Sequence, residues 1–108
     1  MRKKIPHSDT ALLVKLISND LAIEDSELAI NNSISLRGQL IIVINRLMDT
    51  NFNRLLNALY RMDVSEEKVK YALALELPED IAPAIADLVI QRECQKIETR
   101  RKYANNQK

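Results

Sequence analysis

The sequence predicts an all-α fold: a compact bundle of four to five helices, the last of them the longest. Three observations carry this expectation. Glycine occurs once in 108 residues, at Gly38, and proline three times, at Pro6, Pro78 and Pro83. The positive-φ turns of a many-stranded fold therefore lack their usual residues. Apolar residues recur at three- and four-residue intervals along most of the chain. Finally, Ser, Asp and Asn stand where these intervals begin, as helix caps do.

The first helix is expected to begin near Ser8 or Asp9. Leu12, Leu13, Leu16, Ile17 and Leu21 follow at helical spacing, with Lys15, Ser18 and Asn19 on the far side. "EDSELAI" reads as a further turn or short helix that "NNS" stops, because asparagine and serine compete with the backbone for hydrogen bonds. Ser35 caps a second helix starting at Leu36. Its stripe of Leu40, Ile44 and Leu47 continues in phase to Leu55, Leu59 and Met62, although "DTN" at 49–51 is a plausible break. The pattern leaves one helix or two equally open over 36–62.

"DVSEEK" marks another helix start. Asp63 with Glu66 has capping-box spacing, Ser65 is an alternative cap, and the glutamates favour the positive end of the helix. Val69, Ala72, Leu73 and Leu75 form its expected buried side. "LPED" then breaks the chain. A last helix starting at Asp80 keeps Pro83 within the first turn, where no backbone bond is lost. Ile81, Ile85, Leu88, Val89 and Ile97 give its apolar side, running toward a polar end near Tyr103.

Length and composition suit one domain over 1–108, with 1–7 and 104–108 as flexible ends. Hydrophobic residues at 46% and charged residues at 29% allow a core without disulfide or metal staples. The single cysteine, Cys94, rules out an internal disulfide and a multi-cysteine zinc site. "MRKKIP" is followed by "HSDT" and not by an apolar signal segment. The longest aliphatic run, Leu40 to Ile44, is far below the roughly 20 residues that span a bilayer. A cytoplasmic protein without membrane contact is the expectation.

Chemistry-bearing motifs are scarce. There is no H-E-x-x-H, no phosphate-cradling glycine loop and no nucleophile elbow. Acidic pairs at Glu24–Asp25, Glu66–Glu67 and Glu79–Asp80 lie at or near expected helix starts. Cys94 has no base beside it in sequence, and the one histidine is distant at His7. Neither enzyme activity, nor a cofactor, metal or small-molecule ligand, is expected.

"QRECQKIETRRKY" at 91–103 is the strongest candidate for binding. Arg92, Lys96 and Arg100, four apart, form a ridge that Arg101 extends, and a cationic ridge is what phosphate contact requires. Against that, Glu93 and Glu98 share the helix, and sixteen basic residues against fifteen acidic ones leave a net charge of +1. The simpler expectation is that these cations offset the negative helix end, Arg92 contributing least. A helix–turn–helix over 65–96 would open its recognition helix with Glu79 and Asp80, which repel phosphate. Three tyrosines and one phenylalanine make a poor stacking platform.

Leu40, Ile41, Ile42, Val43 and Ile44 are apolar on every side of their helix. They belong either at the bundle's centre or in an interface. Asn53 and Asn57 beside Phe52 read as solvated. By elimination the sequence points to a non-enzymatic protein-interaction or assembly module, binding another protein or itself as a homodimer. The alternative is a nucleic-acid accessory protein using Arg2 to Lys4 and Arg92 to Lys102.

Overall fold

A computed structural model describes residues 7–24, 28 and 35–106, with side chains at 11–24, 28 and 35–103. These residues form five helices: α1 (His7–Leu21), α2 (Leu36–Thr50), α3 (Phe52–Arg61), α4 (Glu66–Leu73) and α5 (Pro78–Asn106). They build a compact all-α bundle whose longest helix is the last. At about 1.5 Å per residue, the 29 residues of α5 nearly match the longest dimension, 48 Å. The other helices gather on this spine: α1, α2 and α4 pack against α5, and α3 packs against α1 and α2.

Helical period decides which residues go inside. Leu13, Ile17 and Leu21 bury one side of α1. Leu40, Ile44 and Leu47 of α2 are buried in phase with Leu55, Leu59 and Met62. Between them the chain breaks at Asn51. Its N–H donates back to the Leu47 carbonyl at 2.8 Å, and its side chain accepts from Arg54 N–H at 3.2 Å, capping both helices. The question left open over 36–62 is resolved as two helices in one stripe. From α5 come Ala82, Ile85, Ala86, Val89 and Ile97.

Several local expectations change. α1 starts at His7, ahead of Ser8. Ser18, expected on the far side, is buried. Ser65 caps α4 by accepting from Lys68 N–H at 3.4 Å, and Asp63 is not the cap. Leu75, expected inside, is exposed beyond the end of α4. The last helix begins at Pro78, where a missing N–H costs nothing, and not at Asp80. Pro83 then lies inside it, where it cannot donate to the carbonyl of the exposed Glu79 one turn earlier. α5 also runs past Tyr103 to Asn106. Of the "EDSELAI" segment, residues 25–27 and 29–30 lie outside the described residues, while Leu28 is buried.

Two turns do without glycine. After α1, Ile23 N–H reaches the Ser18 carbonyl at 3.0 Å and Ala22 N–H reaches that of Asn19 at 3.2 Å. After α3, Val64 N–H bonds the Leu59 carbonyl at 3.1 Å and Asp63 N–H that of Tyr60 at 3.0 Å. Both are Schellman closures, and both require a left-handed residue. Ala22 has φ 56° and Asp63 has φ 62°. Gly38 is instead inside α2, donating its N–H to the Ser35 hydroxyl oxygen.

Candidate functional site

The cationic ridge of α5 is placed at its inner end on the protein itself. Arg92 Nε donates to the Met62 carbonyl at 3.2 Å, and its Nη2 meets Asp63 Oδ2 at 3.4 Å. The guanidinium thereby closes over the turn that follows α3, where the left-handed Asp63 presents its carboxylate. Lys96 Nζ lies 3.5 Å from Glu93 Oε1 and 3.8 Å from Asp20 Oδ2. Arg100 and Arg101 are exposed one and two residues beyond Thr99, whose hydroxyl bonds back to the Gln95 carbonyl. The expected role at the negative helix end is not theirs: α5 continues to Asn106, and its last turn carries no basic residue. Arg92 and Lys96 are tertiary fasteners.

Beneath Lys96 lies a feature that the sequence reading missed. Glu93 is fully buried, 0% exposed. Its position is dictated by phase, since it continues the buried stripe of Ile85, Val89 and Ile97 at four-residue spacing. The signal was therefore in the sequence, masked by residue type. Glu93 Oε2 receives no hydrogen bond as a carboxylate. A buried acid in this position holds its proton more tightly than usual. Burial raises Glu93 from 4.5 to about 7; a hydrogen bond to Asp20 and the Asp20 charge add to the rise, while Lys96 opposes it. When protonated, Glu93 donates and the Asp20 carboxylate accepts. Ser18 is the other buried polar side chain among the described residues, and its hydroxyl has no hydrogen-bond partner either.

Two surface recesses lie among the described residues, and neither is lined by Glu93 or Asp20. One recess, about 260 Å³, lies between α4 and α5 beside Ser65, Lys68 and Arg92. The other, about 210 Å³, is an apolar groove between α3 and α4 formed by Leu56, Leu59, Val64, Val69 and Leu73. Tyr60 stands on its rim, 64% exposed, and its hydrogen bond to Glu66 raises the phenol above its ordinary value. Both are smaller than the roughly 300–1,000 Å³ of typical small-molecule pockets.

No family model, curated protein or solved structure matches this chain. Its chemistry has to be read from its own residues. Among the described residues, no group of three or more His, Cys, Asp and Glu side chains could hold a metal ion. No helix described is long and apolar enough to cross a membrane. Cys94 is half-buried against the core.

The five residues singled out as apolar on every side divide by depth. Leu40, Val43 and Ile44 are in the core, Ile41 is half-buried against it, and Ile42 is 53% exposed. The helix is thus central to the bundle, and Ile42 is exposed on the side it shares with Asn45, Arg46 and Asp49. Asn53 and Asn57 are exposed, as solvated positions are. Arg2 to Lys4 lie outside the described residues.

Proposed function

We infer that this chain is a non-enzymatic interaction module that receives an apolar segment of another protein, or of a second copy, on the surface formed by α3 and α4. The observation that carries this reading is the apolar groove itself, with the exposed Tyr60 at its edge. Tyr60 lines it beside Leu56, Leu59, Val69 and Leu73; Tyr71, Leu75 and Leu77 are exposed as well but are not part of its lining. Tyrosine is enriched at interfaces because it offers contact area together with a polar tip. The groove's size suits a partner's side chain better than a substrate.

The cationic ridge supports nucleic-acid binding less well. Arg92 and Lys96 are already engaged with Met62, Asp63, Glu93 and Asp20, which removes the inner part of any phosphate footprint. Net charge near zero provides no long-range attraction.

A photoreactive phenylalanine analogue at position 60, which lines the groove and faces solvent, tests the proposal in cells of origin and with purified protein. Crosslinks to a discrete polypeptide, either this chain or another, are expected, and Leu73→Asp should suppress them. Sedimentation at about 100 µM, well above a micromolar dissociation constant, distinguishes the second copy from a different partner. Crosslinking to no polypeptide, with a monomer at that concentration, overturns the reading.

A further inference from the structure

The buried acid of α5 faces the C-terminal end of α1. α1 is attached there by three kinds of contact. Leu13, Ile17 and Leu21 enter the core. Two arginines of α3 hold backbone carbonyls at the helix end, Arg61 bonding that of Asp20 at 2.8 Å and Arg54 that of Ala22. The third contact is the Lys96 ammonium, which lies between the carboxylates of Glu93 and Asp20. Only this last contact titrates near neutrality, because arginine stays charged throughout.

We propose that Asp20, Lys96 and Glu93 form a proton-operated latch, which holds α1 on α5 while Glu93 carries its proton and lets α1 lift once that proton is lost to water. With Glu93 protonated, the acid donates to Asp20, and the single negative charge left is matched by Lys96. With Glu93 ionised, two carboxylates share one ammonium, and Glu93 Oε2 stays buried without a donor. Lifting α1 takes Asp20 away and admits water to Glu93, which relieves both penalties. Burial sets the change in the neutral range, near pH 7.

Charged groups of the other elements have different engagements. On α2, Arg37 forms a fork to Asp87 of α5 at 2.7 and 3.2 Å, while Arg46 and Asp49 are exposed. On α3, Arg54 and Arg61 bond the two carbonyls already named. Glu66, Glu67, Lys68 and Lys70 of α4 are exposed. Next to the cluster on α5 itself, Arg92 is held by Met62 and Asp63. On α1, Lys15 is exposed.

Hydrogen exchange of the whole chain, with each rate corrected for the intrinsic effect of pH, tests the latch. Protection of α1 amides from Leu13 to Leu21 is expected to be lower than that of α2 amides from Leu40 to Leu47 at both pH 5.5 and pH 7.5. Between these values α1 protection should fall about 20-fold, the ratio that follows from a group moving between 4.5 and about 7. Glu93→Gln should flatten the dependence, which separates the cluster from His7. A carbon-13 titration of the Glu93 carboxyl in the unmodified protein needs no variant and should show a midpoint near neutrality. A midpoint below pH 5.5, equal protection of α1 and α2, or a pH dependence that persists in Glu93→Gln would each overturn the proposal.

Discussion

Glu93 shows how one side chain can tie the fold to pH. Its folded value, about 7, lies above the ordinary 4.5. Between these values the folded protein holds a proton that the unfolded chain has released, so stability falls as pH rises across that window. Below about 4.5 both states are protonated, and above about 7 both are ionised; the loss is complete there. For a fully buried group the contribution is on the order of 3 kcal/mol over the whole window. Urea unfolding at pH 5 and pH 7.5 should show the wild type losing about 2 kcal/mol more than Glu93→Gln. Equal losses in the two proteins would show that Glu93 ionises normally in the fold.

At the scale of elements, the chain does without glycine at positions where helices commonly use it. Ala22 occupies the left-handed position that closes α1, with its Cβ close to the following carbonyl oxygen. Ala22→Gly removes that clash. It should raise stability by about 0.5–1 kcal/mol, after the extra flexibility of glycine in the unfolded chain is subtracted. Thermal unfolding would show the midpoint move up; a fall would mean that the Ala22 methyl group contributes contacts worth more than the strain. Asp63 is a different case despite a similar φ. Its side chain pairs with Arg92, so glycine there would lose that contact as it relieved the backbone.

For the whole molecule, α5 decides the arrangement. Its side chains reach three other helices and the turn after α3, which makes the basic ridge a set of internal fasteners at one end and a solvated face at the other. The order of effects in a substitution series should follow. Arg92→Gln is expected to lose about 1.5–3 kcal/mol, the range for a hydrogen bond made by a charged group. Arg100→Gln should stay within about 0.5 kcal/mol, as exposed positions do. Equilibrium denaturation at low and moderate salt would measure both. A larger effect at Arg100 than at Arg92 would restore the helix-end role that the sequence alone suggests.

Much of this architecture was legible in the sequence. Scarce glycine, the caps at Ser35 and Ser65, and the stripe from Leu40 to Met62 follow from short-range physics. Each depends on φ preferences, on hydrogen bonds between near neighbours or on a 3.6-residue period. The α5 stripe of Ile85, Val89 and Ile97 even contained Glu93, though its charge argued for the surface. What the sequence left undecided required partners far along the chain. Asn51 is the exception: its bonds to Leu47 and Arg54 are local, and they split the helix while the stripe stays in phase. Asp20 meets Lys96, and Arg92 meets Met62, because α1 and the turn after α3 are brought against α5. Ile42 alone stays largely exposed among five similar residues because helices cover the rest. Local propensity sets which residues form a helix and which side of it is apolar. Which charge is buried, and beside what, depends on packing between residues distant in sequence, and the interaction of a carboxylate with its surroundings is decided there.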